Sequence, residues 1–311
     1  MKRSGFQYIL FAFIYLRENY VLFLFISLIV NSGCLKPIDM ELEPHPVKLV
    51  VASQIIPNNF MIVSLTKSFS ALANPTNDSI KNIGSDFMKG LLVENAIVTV
   101  SYQNRTDTLF MTSPGIYVSV SELNASNGFY TLHAKDPFTG QEILATSSIL
   151  PKVVFDSIIP IVNKLSKDSS VVSVRYSIFD DPGTENWYMV NYYTRVKNDP
   201  KIANIDINSY FKKGTNKLLA DFDLLSDKTF ENNKYSKETL LRGVLGDDSI
   251  AVTLSNISEG YFQFLSAYKK SAGLFNALTG EPINYPSNVS NGYGYFNTHY
   301  PDIHLFFLKD Y

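Results

Sequence analysis

The chain has 311 residues, of which 45% are apolar, and a formal charge of −2. It is long enough for two ordinary domains and apolar enough to bury real cores, which excludes a disordered protein. The balance of charge lacks the basic surplus of a nucleic-acid binder.

Tyr 19 and Phe 22 against Trp 1 is a β-rich composition, because aromatic residues suit a pleated, half-buried surface. The only cysteine is Cys34, so no internal disulfide is available and the fold must rest on its cores.

In chain order, Lys2 and Arg3 open a positive segment. Apolar runs follow at 6–16 and 20–30, broken by Arg17, Glu18 and Asn19. Neither reaches the ~20 residues of a spanning helix. The second has the length of a signal-peptide core, and Ser32 and Gly33 lead from it into Cys34. This layout resembles the lipobox of bacterial lipoproteins, with Asn31 standing where that pattern prefers an aliphatic residue. The resemblance implies a leader over 1–33, a lipidated Cys34 and a tether over 34–46, which Pro37, Pro44 and Pro46 keep extended. Asp39, Glu41 and Glu43 look like a surface-export signal; the bland reading is a solvated tether.

From Val47 onward the pattern is β. "VKLVVASQII" and "FMIVSLTKSF" read as strands, the second by strict alternation. Residues 70–90 are polar and read as a loop with a short helical turn. "NAIVTVSYQNRTDTLFM" reads as strands over 96–102 and 106–111 around a turn at 103–105. "SPGIYVSV" follows a Pro-Gly turn, and "GFYTLHAKD" and "EILATSSIL" pair around 137–140. Strands this short and regular predict an Ig-like β-sandwich over 47–150.

A second antiparallel β-rich domain is predicted over 151–311. Its strongest signal is a hairpin in "VVSVRYSIFDDPGTENWYMVNYYTRVK", turning at 180–186. Residues 198–217 read as a loop-rich connection, and "KLLADFDLLSD" and "SIAVTLSNI" add strands. One helix is predicted over 258–272. Tyr261, Phe264, Leu265 and Tyr268 share a face, Ser258 caps the start, and Lys269 and Lys270 fall in the last turn.

Catalytic signatures are missing. The sequence holds no G-x-S-x-G, H-E-x-x-H, Walker or EF-hand pattern, so no catalytic residue, cofactor or metal is predicted. His299 and His304, with Asp302 between them, are five apart, which puts the two rings on opposite faces of an extended chain. "NGYGYF" starts like a dinucleotide loop, but Asn297 fills its third glycine position. Asp221, Asp223 and Asp227, or Asp247 and Asp248, could hold calcium, though solvated carboxylates are the commoner outcome. Trp187, Tyr188, Tyr192 and Tyr193 could present flat rings to a glycan; the bland reading makes alternate members core.

Several stretches resemble one family in order along the chain. "CLKPIDMELEPHPVKLVV", "ENAIVTVSYQNRTDTL", "SPGIYV" and "NGFYTLHAKDPFTGQEILATSSI" are similar to the first part of a group of Bacteroidota outer-membrane lipoproteins. "INYPSNVSNGYGYFNTHY" is similar to its C-terminal hallmark, here Asn288, Gly292, Gly294 and Phe296. That group carries a domain of unknown function. The resemblance implies a non-enzymatic accessory lipoprotein of a TonB-dependent β-barrel receptor or related outer-membrane complex, lipid-anchored at the outer membrane and facing the cell surface, with the periplasmic face as the alternative. The alternative is a stand-alone surface binder or adhesin for glycans or peptides. The hallmark glycines permit positive φ or close backbone approach, and Tyr293, Tyr295 and Phe296 are placed to plug a core, so the segment reads as a structural closure loop.

Overall fold

In the computed structural model the described residues are 46–55, 60–68, 89–121, 128–166, 169–181, 183–195, 219–242, 244–246, 248–271 and 285–311. The predicted leader, Cys34 and the predicted 198–217 connection lie outside them. The chain is mainly β, as its composition and alternation predict.

The first lobe is one nine-stranded sheet. Seven strands come from its own part of the chain: β1 (Leu49–Ile55), β2 (Met61–Lys67), β3 (Ile97–Tyr102), β4 (Arg105–Ser113), β5 (Ile116–Val118), β6 (Phe129–Lys135) and β7 (Glu142–Ser148). Two short strands, β14 (Val289–Ser290) and β15 (Tyr293–Tyr295), come from near the C-terminus. The order is β14-β7-β6-β3-β4-β5-β2-β1-β15. β14 pairs antiparallel with β7, and β15 pairs parallel with β1. The sheet therefore begins and ends on two neighbouring pieces of one segment, joined through Asn291 and Gly292. A sheet whose two edges meet in one turn is rolled on itself, and rolling removes the exposed edges that invite aggregation.

Alternation explains the core. Leu49, Val51 and Ile55 of β1, Met61, Val63 and Leu65 of β2, Val98 and Val100 of β3, and Tyr130, Leu132 and Ala134 of β6 share one cluster. Val289 and Phe296 from the C-terminal segment belong to the same cluster. Residues 47–150 thus form a rolled sheet that the far end of the chain completes.

The second lobe is a seven-stranded sandwich, the strand count of an immunoglobulin-like domain. β8 (Ser157–Ser166), β9 (Ser169–Phe179) and β12 (Lys234–Leu241) form one sheet, in the order β12-β9-β8. β10 (Trp187–Arg195), β11 (Leu219–Ser226), β13 (Ser249–Ile257) and β16 (Asp302–Phe307) form the other, in the order β11-β10-β13-β16. Val172, Val174, Tyr176 and Ile178 of β9 meet Tyr188, Val190 and Tyr192 of β10 in the core between them. This corrects the predicted hairpin at 171–197. Both strands exist, but β9 pairs with β8 and β12, whereas β10 pairs with β11 and β13. Alternation identifies the inward residues of each strand; it does not say whether two inward faces lie side by side or face to face.

Helix α1 (Glu259–Ser271) covers the outer face of the four-stranded sheet. Ser258 Oγ accepts the Tyr261 N–H at 3.3 Å, the cap expected of a serine there. Tyr261 and Leu265 are buried with Met189 and Ile257. Tyr295 of the first lobe packs against Tyr261 and Phe264, with ring centroids 5.4 and 5.6 Å away.

Candidate functional site

The predicted hallmark residues converge on the seam of the first lobe. Asn288 Nδ2 donates to Thr146 O at 2.9 Å and to Phe296 O at 2.7 Å, while its Oδ1 accepts the Phe296 N–H at 2.9 Å. One side chain thereby stands in for a strand partner and ties β7 to the end of β15. Asn291 turns the chain with φ 62°. A Cβ on Gly292 would lie 2.7 Å from both Ile143 Cγ2 and Leu49 O. Gly294 has φ +96°, and a Cβ there would lie 1.9 Å from Val51 O. That position is closed to any side chain by backbone, not by a movable group. Phe296 then enters the core with no exposure, which contributes roughly 1.5–3 kcal/mol.

The seam continues as a run of polar pairs. Ser53 Oγ accepts the Asn297 N–H at 2.7 Å and donates to Asn297 O at 2.9 Å. Ser147 Oγ accepts from the Thr298 N–H at 2.9 Å. Asn297 Nδ2 donates to His299 Nδ1 at 2.9 Å. Burial pushes the His299 imidazole down to about 4, so it is neutral near pH 7. A neutral ring accepting at Nδ1 fits that state.

The aromatic run of β10 does not form a ligand face. Tyr188 and Tyr192 are buried between the two sheets, and Tyr193 is buried on the opposite face of β10. Trp187 is half-buried and packs on the cluster beneath α1. The Tyr192 hydroxyl donates to Asp223 Oδ2 at 2.7 Å, and Lys237 Nζ reaches the same oxygen at 2.8 Å. Burial pushes the Asp223 carboxyl up, but the bonds from Lys237 and Tyr192 outweigh it and hold the group below its usual range. The cluster links β10, β11 and β12 across the open side of the sandwich.

The remaining acidic and imidazole groups are dispersed. Asp221 accepts the Phe222 N–H at 2.8 Å, Asp227 the Asn186 N–H at 2.8 Å, and Asp248 the Leu245 N–H at 2.7 Å. Asp247 lies outside the described residues. His299 sits in the seam, whereas His304 pairs with Asp302 at 3.0 Å. Among the described residues no three such groups are placed to hold a metal ion.

A cleft of 320 Å³ opens at one end of the rolled sheet. Met61, Val100 and Leu109 supply its apolar lining. Tyr102 and Tyr130, directly paired across β3 and β6, stack with ring centroids 4.4 Å apart and 13° between planes. Arg105 Nε donates to Asp107 Oδ1 at 2.7 Å, and its Nη2 to Ser121 Oγ at 2.6 Å. The Tyr102 hydroxyl is buried with no partner among the described residues. Burial raises the Tyr130 phenol, with Tyr102 and Asp107 adding to the shift. Sequence reading passed over these residues, yet a signal was there. On β4 the positions 105, 107 and 109 share a face, and Leu109 shows that face to be the inner one. Arg105 and Asp107 therefore lie on the inner face where it runs out to the end of the sheet, with side chains 62% and 30% exposed.

No curated protein matches the chain. Residues 35–300 match a family described as a domain of unknown function, DUF4249, a span that takes in the first lobe with its cleft and seam and the second lobe up to β16. The chain accordingly belongs to that domain family.

Proposed function

We propose that the protein is a non-enzymatic lipoprotein of the outer membrane, anchored through Cys34. It serves as an accessory subunit of a TonB-dependent β-barrel receptor or a related complex, assisting capture, uptake or export of cargo. The observation that carries this reading is the layout around Cys34: a signal-like apolar run ends in Ser32-Gly33-Cys34, and the family match starts at the next residue, Leu35. A lipid chain contributes about 0.8 kcal/mol per buried methylene, so several chains on one cysteine hold a domain at a bilayer. The acidic residues Asp39, Glu41 and Glu43 fit export to the surface of a Bacteroidota cell.

The test has two parts. Cells fed radiolabelled palmitate are expected to label the wild-type chain and not Cys34→Ser, and the variant is expected to leave the membrane fraction. An unlabelled wild-type chain would overturn the anchor. Native purification from detergent-solubilised membranes is then expected to recover a β-barrel partner. A monomer at native expression would overturn the accessory role and leave the stand-alone surface binder. That second reading loses its original aromatic face, since Tyr188 and Tyr192 are core.

A further inference from the structure

We propose that the cleft at the open end of the first lobe is a binding site for a small neutral saccharide of one or two rings. Ligand sites sit preferentially in the mouths of rolled sheets, and 320 Å³ lies at the small end of the usual range of about 300–1,000 Å³.

Charge selects the ligand class. Arg105 and Asp107 neutralise each other across 2.7 Å, so the cleft holds one cation and one anion already in contact. An anionic ligand on Arg105 would meet the Asp107 carboxylate beside it, and a cationic one on Asp107 would meet the guanidinium. A neutral polyol meets neither repulsion. Arginine has five N–H donors, and two of those on Arg105 are engaged, on Asp107 and Ser121. Asp107 Oδ2 has no partner among the described residues, so it can accept a hydroxyl proton while Arg105 donates to a hydroxyl oxygen. A sugar hydroxyl does both through a single oxygen, and neighbouring hydroxyls on one ring repeat the pattern.

Two further observations agree. The Tyr102 hydroxyl is buried and unpartnered among the described residues, and a buried polar group normally has a partner. Tyr102 stacks on the buried Tyr130, and with Met61, Val100 and Leu109 they give the cleft an apolar lining that suits the C–H face of a pyranose. A peptide adding as a strand would meet β14 on β7 and β15 on β1, which already pair with part of each edge.

The site does not depend on the membrane reading: palmitate labelling of Cys34 tests the anchor, and sugar binding tests the cleft. Purified full-length protein in detergent is titrated with glucose, galactose, mannose, N-acetylglucosamine and maltose, with glycylglycine and glutamate as charged comparators. Binding is followed by saturation-transfer NMR. At least one sugar is expected to bind saturably. Arg105→Ala and Asp107→Ala are expected to weaken it about tenfold or more, the loss of one charge-assisted hydrogen bond. Tyr102→Phe, which keeps the ring, is expected to weaken it several-fold, and Lys135→Ala at the other end of β6 to leave it unchanged. Circular dichroism checks that each variant is folded. The proposal is overturned if no sugar binds the wild type, if the three cleft substitutions leave binding unchanged, or if a charged comparator binds more tightly than every sugar.

Discussion

The two lobes solve the same problem in opposite ways. A sheet with one apolar face must cover that face and manage its edges. The second lobe lays one sheet on another, β8, β9 and β12 against β10, β11, β13 and β16, with cores that interdigitate. The first lobe rolls one sheet and fastens its two edges with a single short segment, β14 to β15, drawn from between α1 and β16. A sandwich spreads its stability over many face-to-face contacts. A rolled sheet with one seam concentrates it at a few backbone positions, so the lobes differ in how they respond to small changes.

The largest expected effect is at that seam. Gly294→Ala forces a Cβ to within 1.9 Å of Val51 O at φ +96° and is expected to destabilise the protein by more than about 3 kcal/mol in a urea titration. Gly183 in the second lobe, at the turn between β9 and β10, has φ +115° with open space around it. Gly183→Ala is expected to cost only about 1 kcal/mol, from backbone strain alone. Equal losses at the two glycines would remove the contrast between the lobes.

Acid sharpens the same contrast. The His299 imidazole has a folded value of about 4 against an ordinary 6.5. Below 6.5 the unfolded chain takes up a proton that the folded chain refuses, so stability present above pH 6.5 is lost as the pH falls toward 4. The loss is about 3 kcal/mol across that window. His299→Gln is expected to flatten the stability profile between pH 6.5 and 4; a profile as steep as the wild type would show that the ring titrates normally. The carboxylates Glu142, Asp156 and Glu238, all held below their usual range, act at lower pH and remain in the variant.

Asn288→Ala removes three hydrogen bonds and leaves the Phe296 backbone groups short of partners. It is expected to cost about 2 kcal/mol, with faster hydrogen exchange at the Phe296 amide. An unchanged exchange rate would assign the closure to the glycines alone. The smallest effect belongs to the outer face of the sandwich. Arg175 and Glu238 meet at 2.8 Å but are both well exposed, and a double-mutant cycle is expected to show no coupling beyond the error of the measurement.

Much of this fold was legible in local patterns. The strands around the turn at 103–105 and around 137–140 were predicted within two residues of β3, β4, β6 and β7. Helix α1 was predicted within a residue at each end, because its cap, its stripe and its last-turn lysines all agree. The hallmark glycines were legible as backbone positions. Their partners were not, because Val51 and Leu49 lie at the other end of the chain. The cleft was hidden for a related reason: Arg105 and Asp107 look like ordinary strand-edge charges until Leu109 fixes which face points inward.

The sequence by itself determined β1 to β7 of the first lobe and β9, β10, β11 and β13 of the second, the apolar face of those strands, where the helix begins and ends, and that Cys34 has no partner for an internal disulfide. Those properties depend on residues a few positions apart. The tertiary structure alone decided that β9 and β10 lie in different sheets, that the C-terminal segment closes the first lobe, and that Tyr102, Tyr130, Arg105 and Asp107 share one cleft. Alternation fixes the direction of a side chain; which strand edge or sheet face it meets is set by burial summed over the whole chain.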